Sequence, residues 1–304
     1  MTMRSCFVSI LTALAVAHGL GACGGQSGAV PAAPTSEARV SPPVAASSSA
    51  AAAASAAPSS TQATPTWTMP DVNFVPARIS ETPKKIPRPW IETPGFDQLV
   101  ARDWVPAYKI MMKVPNWEQA PPGSYLQFVL DGRPLPAVTD FRGGIKLLDL
   151  VGPEGIADGE HVLAAYACRP NHESLKGPDG ISAHRFWIGK KAPDTYKGTA
   201  PMLVLGRPHG EYSGNAAYDI LIDWYVLNAV VADKQYQIRL TLKGPGLPEE
   251  GVERYTKEWR PWSIVSAQTG EYTLKAELLD KNGNVAPGTW TTVTRTFTVK
   301  RPDE

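Results

Sequence analysis

The sequence has no excess of either charge. Its 304 residues include 30 Lys and Arg against 29 Asp and Glu. Arg4 is the only charged residue before Cys23, so the chain from Cys23 onward holds 29 basic and 29 acidic residues. Proteins that bind nucleic acid or anionic lipid headgroups through charge need a clear positive excess. We therefore expect no nucleic-acid partner.

Sequence motifs of catalysis are also missing. The chain has no Gly-x-Ser-x-Gly turn, no phosphate-cradling glycine loop and no dinucleotide-binding fingerprint. Ser174 stands close to His172, but nearness in sequence does not make a nucleophile and base pair. Glu249 and Glu250 lie in a Pro- and Gly-rich stretch, where solvated charge is the simplest interpretation. We expect a protein that is not an enzyme, with no catalytic residues and no cofactor.

The N-terminal segment has the composition of an export signal. Arg4 precedes an apolar run at residues 7–17, which is too short to span a membrane. The following Leu20-Gly21-Ala22-Cys23 resembles the lipobox of bacterial lipoproteins. That resemblance implies that Cys23 becomes the first residue, carries fatty acyl chains such as palmitate, and holds the protein to a membrane of the bacterial cell envelope. Gly24 in place of Asp favours the outer membrane by analogy, and a cleaved signal without lipid is the alternative.

Cysteine is otherwise scarce. Beyond Cys23, the chain has only Cys168, so no disulfide can form between two free thiols. Residues 162–168 form an apolar run typical of a strand, and the pattern predicts that Cys168 is a small buried residue in it. A reactive thiol or a metal ligand is the alternative.

Composition divides the chain into four segments. We assign residues 1–22 to the signal peptide and residues 23–70 to a disordered linker, because Ala, Ser, Pro and Gly there cannot offset the entropy of ordering. Residues 71–192 and 200–304 are each long enough for one domain. We predict two folded modules held away from the membrane by a flexible tether.

Both modules are predicted to consist of β-strands. Residues 236–242 and 272–278 alternate strictly between apolar and polar side chains, and residues 292–299 alternate Thr with mostly apolar residues. The first module repeats the second: Gly159-Glu-His-Val-Leu-Ala-Ala matches Gly270-Glu-Tyr-Thr-Leu-Lys-Ala, and Phe186-Trp-Ile matches Phe297-Thr-Val. Asp103-Trp104 and Asp223-Trp224 form a weaker match.

The repeated pattern resembles the immunoglobulin-like modules of bacterial surface and periplasmic proteins. The resemblance rests on a strand ending in Asp-Gly, followed by Gly-Glu-His/Tyr-x-Leu-x-Ala, and covers about residues 123–189 and 232–300. It implies an all-β chain of two tandem β-sandwiches. It also implies that His161 and Tyr272 begin the strand that often carries a corner tyrosine.

Two groups of residues are candidates for a binding site. The loop after Cys168 contains His172 and Glu173, and His184 follows it; with His209 they could supply zinc ligands, although their spacing matches no metal signature. The simpler interpretation is a polar loop with hydrogen-bonded histidines, so we predict no metal site. A periplasmic metal-binding protein or metal-dependent enzyme that uses the His172 loop remains the alternative function.

Aromatic residues form the other group. Trp259 and Tyr255 could provide a stacking platform for sugar rings or peptide side chains. Trp262 is expected in the core, whereas for Trp259 core and platform both remain open. Taken together, the sequence predicts a lipid-anchored, non-enzymatic module that binds or scaffolds an envelope protein or polysaccharide.

Overall fold

The computed structural model describes residues 72–177, 179–192, 198–288 and 290–302. The predicted signal, Cys23 and the linker lie outside this part of the chain. The described residues form strands, with one short α-helix, α1 (Leu147–Val151), and three short 3₁₀ helices, Arg102–Ala107, Trp117–Gln119 and Gly214–Ala217. None of their helices has the length and apolar character needed to cross a membrane. The predicted all-β class is confirmed.

The first module is a sandwich of two sheets. Its strands are β2 (Trp90–Thr93), β3 (Gln98–Val100), β4 (Lys109–Lys113), β5 (Tyr125–Leu130), β6 (Arg133–Pro134), β7 (Ile145–Lys146), β8 (Gly159–Cys168) and β9 (Ile181–Ile188). One sheet has the order β2-β4-β7 and the other has the order β3-β9-β8-β5-β6. Only β3 and β9 pair in parallel among these described strands.

The second module has the same plan. Its strands are β10 (Met202–Arg207), β11 (Gly210–Ser213), β12 (Asp219–Leu227), β13 (Gln237–Lys243), β14 (Val252–Thr256), β15 (Trp262–Val265), β16 (Gly270–Leu279) and β17 (Thr292–Lys300). The sheets are β15-β12-β10 and β11-β17-β16-β13-β14, again with a parallel pair, β11 and β17. Strand for strand, this matches the first module, and both have an immunoglobulin-like topology.

The sequence repeat is a repeat of structure in register. His161 lies opposite Phe186 in the first module, and Tyr272 lies opposite Phe297 in the second. The Tyr272 hydroxyl donates to the Pro245 carbonyl at 2.9 Å and accepts from the Gln268 backbone N–H at 2.9 Å, as expected of a corner tyrosine. In the first module His161 takes this position and bonds Asp131 instead, at 2.7 Å.

The weaker sequence match is wrong. Asp103-Trp104 lies in a 3₁₀ turn, Arg102–Ala107, between β3 and β4, and Trp104 is exposed. Asp223-Trp224 lies inside β12, and both side chains are buried. The 3₁₀ turn Gly214–Ala217, between β11 and β12, occupies the place of the first turn. Two shared residues were too little to set the alignment.

A strand from the start of the described chain completes the second module. β1 (Asn73–Pro76) pairs antiparallel with β15, and so adds a fourth strand to the β15-β12-β10 sheet. Phe74 enters the core of the second sandwich, and Ala77 donates its N–H to the Pro261 carbonyl at 3.1 Å. The sequence analysis placed this segment in the first module. Its pairing partner lies far along the chain, so no local pattern could indicate it.

Each sandwich has its own apolar core, and a third apolar cluster lies where the two sandwiches pack against each other. Together they form one compact unit. The buried members of the third cluster are Tyr125, Val129, Val162, Ala164, Tyr166 and Cys168 of the first module with Met202, Val204 and Tyr225 of the second. Strand β8 is accordingly buried on both faces over most of its length, whereas β16 alternates between inner and outer positions in its first half. Cys168 is buried in β8, as the apolar run predicted, and the structure adds that it belongs to the cluster between the modules.

Candidate functional site

The candidate metal ligands do not converge. The His172 Nδ1 atom lies 2.7 Å from the Tyr125 hydroxyl, and His184 Nδ1 lies 3.0 Å from the Pro94 carbonyl oxygen. Glu173 is buried, with a carboxylate oxygen 3.5 Å from Arg169 Nε. Among the described residues no group of three His, Cys, Asp or Glu side chains is placed to hold a metal ion. The geometry gives the metal-dependent alternative no ligand set.

The loop between β8 and β9 instead packs at the junction of the two modules and bonds to the second module. Lys176 Nζ lies 2.5 Å from Asp223 Oδ1 and donates to the Trp224 carbonyl at 2.9 Å, both in β12 of the second module. The Ser174 N–H donates to Asp223 Oδ2 at 3.2 Å. Because Asp223 is 1% exposed, this ion pair is held out of water. The loop that contains His172 is therefore a structural element of the interface.

The predicted aromatic platform is not assembled as one surface. Trp259 is half-buried, and its ring meets Tyr225 edge-on, with centroids 5.5 Å apart, so it packs at the module junction. Tyr255 is exposed, but its hydroxyl donates to Glu253 and no ring contact joins it to Trp259 in the described chain. Trp262 is half-buried against the core of the second sandwich. The structure thus assigns packing to Trp259.

An exposed aromatic surface lies on the first module, away from the predicted platform. Trp90 is 60% exposed, and its ring meets His184 at a centroid distance of 6.1 Å. The Phe96 ring meets the same imidazole edge-on, at a centroid distance of 6.4 Å. Trp90 points outward because it neighbours Ile91, which fills the core, and successive strand residues point to opposite faces.

A groove of about 330 Å³ runs beside Trp90. We call it the Trp90 groove; Arg88, Trp90, Lys113, Asp179 and Ser182 line it. Arg88 and Asp179 form an exposed ion pair at 2.9 Å, and Lys113 pairs with Glu92. The groove therefore offers one large aromatic face with donors and acceptors of both charges around it.

Sequence reasoning missed Trp90 because the aromatic residues at 255–262 lie close together in sequence and formed the more obvious candidate. A signal was present in the short strand Trp90–Thr93. Successive residues of a strand point to opposite faces, so a tryptophan next to the inward Ile91 is expected to point outward and to be exposed. Such a residue has no packing role to account for it, and exposed Trp is a common binding anchor.

Comparison with known proteins leaves the family open. No family model matches the chain, and no curated protein sequence matches it. Among solved structures, the fibronectin(III)-like modules of Clostridium thermocellum CbhA align with 71% of this chain and 95% of theirs, at 13% identity and a TM-score of 0.25.

A glucan utilization protein from Bacteroides ovatus, solved with a mixed-linkage heptasaccharide, aligns with 70% of this chain and 71% of its own, at 12% identity and a TM-score of 0.20. A putative membrane anchored protein from Corynebacterium diphtheriae aligns with 71% of this chain and 55% of its own, at 13% identity and a TM-score of 0.20. Scores this low carry no argument about function. The immunoglobulin-like assignment follows from the strand order and register described above.

Proposed function

We propose that the protein is a non-enzymatic, lipid-anchored glycan-binding protein of the bacterial cell envelope, and that polysaccharide binds in the Trp90 groove. The observation that carries the proposal is the exposed indole of Trp90 beside a groove with polar groups of both signs. Sugar rings present an apolar C–H face and a rim of hydroxyls. The indole offers area for the first, and Arg88 and Asp179 offer hydrogen-bond partners for the second.

The size of the groove supports a ligand of one or two sugar units. Its volume of about 330 Å³ lies at the lower end of the range of small-molecule sites. Because the groove is lined by ion-paired side chains, its net charge is close to zero, which suits a neutral sugar. Phe96 and His184 extend the aromatic surface for neighbouring units of a chain.

Two tryptophans make a matched test. Trp90→Ala should weaken binding of soluble cell-wall and surface polysaccharides by at least about tenfold, because exposed aromatic anchors dominate such sites. Trp104→Ala should leave binding unchanged, since Trp104 is 71% exposed but does not line the groove. Titration calorimetry against a panel of glycans measures both. Equal binding by the two variants, or binding of no glycan by the unaltered protein, would count against the proposal.

The anchor is tested separately. Mass spectrometry of the mature protein should find the first residue to be Cys23 with fatty acyl chains attached. Cys23→Ala should move the protein from the membrane fraction to the soluble fraction. An unmodified N-terminus would replace the lipoprotein proposal with a cleaved signal, and glycan binding would be unaffected by that outcome.

A further inference from the structure

A second cleft, of about 440 Å³, opens between the two modules. One wall is the turn at residues 131–132 together with β6, in the first module. The other wall is β17, residues 292–296, with His209, which lies between β10 and β11, and Gly210, the first residue of β11. We call it the inter-module cleft. It exists only because the sandwiches pack together, and it lies apart from the Trp90 groove.

Arg295 stands in this cleft in an unusual position for an arginine. It occupies the inward phase of β17, between Val293 and Phe297, both of which are core residues. Its Nη2 donates to the Gly132 carbonyl at 2.6 Å and to the Leu205 carbonyl at 3.2 Å. Its Nη1 is buried and has no hydrogen-bond partner. Within the described chain no carboxylate pairs with this guanidinium.

His209 faces the same cleft. Its backbone N–H donates to the Tyr212 hydroxyl at 3.2 Å, and its Nε2 atom is buried without a partner. Burial, followed by the positive charges of Arg207 and Arg295, lowers the pKa of His209 to about 4. Two cationic groups therefore bear on this imidazole.

Arg207 lies two residues before His209 but does not line the cleft. Its guanidinium donates to His172 Nδ1, a neutral acceptor, at 3.1 Å, and no carboxylate among the described residues forms an ion pair with it. Its positive charge therefore acts on His209 from outside the cleft. Arg295 is the cation of the cleft itself, and burial disfavours its charged form, so an anion beside it is favourable.

The acidic side chains near the cleft already have hydrogen-bond or ion-pair partners. Asp131 lines it, but its two oxygens accept from His161 Nδ1 at 2.7 Å and from the Val162 N–H at 2.8 Å. Arg133 at the rim pairs with Glu154 at 3.1 Å, and both side chains are well exposed. Arg295 is therefore the cation that lines the cleft without a carboxylate partner among the described residues.

We propose that the inter-module cleft binds an oxyanion, the carboxylate or phosphate group of a ligand, with Arg295 and His209 as its partners. The unpartnered Nη1 and Nε2 atoms supply the donors, and both side chains line the cleft. The Thr294 hydroxyl lines the same space. Because both modules contribute walls, a bound anion also holds them together.

Binding of small anions to the full chain tests the proposal. Inorganic phosphate and glucuronate are titrated separately at constant ionic strength, with chloride as the reference, and His209 is followed by NMR. The expected result is saturable binding of at least one of them, with the pKa of His209 raised by about one unit or more, because an anion offsets the arginine charges. Saturation by phosphate identifies a phosphorylated ligand, and saturation by glucuronate identifies an acidic sugar.

Two variants distinguish binding at the inter-module cleft from a general effect of positive charge on the protein. Arg295→Met should weaken the binding by more than about tenfold, since charge-assisted bonds to the anion are lost. Arg142→Gln removes an equally positive side chain that is 94% exposed and does not line the cleft, and it should change nothing. If Arg295→Met does not fold, the titration of the unaltered protein still decides. Failure of both anions to saturate, with an unmoved His209 pKa, overturns the proposal.

Discussion

Replacing Asp223 by Asn should strongly destabilise the protein, because it leaves Lys176, whose side chain is only 14% exposed, without its counter-charge. The two residues belong to different modules, and Lys176 Nζ lies 2.5 Å from Asp223 Oδ1. Lys176 also donates to Ser174 Oγ at 2.6 Å and to a carbonyl oxygen at 2.9 Å. These neutral acceptors remain after the change, but the carboxylate charge does not.

Removing one member of a buried ion pair costs about 3–5 kcal/mol, whereas replacing both by apolar residues of similar size is often nearly neutral. We therefore expect the free energy of unfolding to fall by about 3 kcal/mol or more in Asp223→Asn. The double variant Asp223→Leu with Lys176→Met should recover most of that loss. Equilibrium unfolding in urea, followed by tryptophan fluorescence, measures each variant.

An exposed pair provides the control. Lys113 pairs with Glu92 at the surface, so Lys113→Met should change the free energy of unfolding by less than about 1 kcal/mol. If Asp223→Asn costs no more than this control, or if the double variant is no more stable than Asp223→Asn, the argument from desolvation is refuted. The modules should also unfold in one transition, because the apolar cluster between them is buried.

Three further outcomes follow from burial and charge. Phe74→Ala should lower the free energy of unfolding in urea by up to about 3–5 kcal/mol, and local detachment of β1 sets the upper limit of this loss. Ile79→Ala, at an exposed position on the same segment, should have little effect. Burial disfavours the charged form of His161, but the hydrogen bond and charge of Asp131 outweigh it and raise its pKa above 6.5. That stabilisation is full below about pH 6.5 and is lost as the pH rises through the folded pKa, a dependence that Asp131→Asn should flatten in pH-resolved unfolding. Burial also raises the pKa of Cys168, so a thiol reagent should label it only after unfolding, and rapid labelling of the native protein would contradict this.

Much of the fold could be predicted from local alternation. Strand β16 alternates apolar and polar residues in its first half, and the structure buries the apolar set and leaves the other set partly exposed. In β8 both sets are apolar, which the sequence analysis read only as a buried strand. A comparison of the two repeats indicates more. A sheet face that is apolar in one module but polar in its copy is expected to be covered by another part of the protein. In this chain the second module covers that face of β8.

The sites were harder to predict, since they depend on which loops meet. His172 and His184 looked like neighbours in a ligand set, yet each bonds a different element. Arg295 carried a readable signal, because a charged residue in the apolar phase of a strand breaks the period. Its equivalent in the first module, by the shared register, is His184.

The amino-acid sequence by itself determined the alternating strands and the duplication, because alternation acts between residues close in the chain. The corner position of Tyr272 followed from the resemblance to immunoglobulin-like modules. Only the tertiary structure decided that β1 completes the second sandwich, that Trp259 packs at the junction while Trp90 is exposed, and that Arg295 meets His209 in a cleft. These arrangements depend on pairing and burial between segments far apart in sequence, and such contacts leave no periodic trace in either partner.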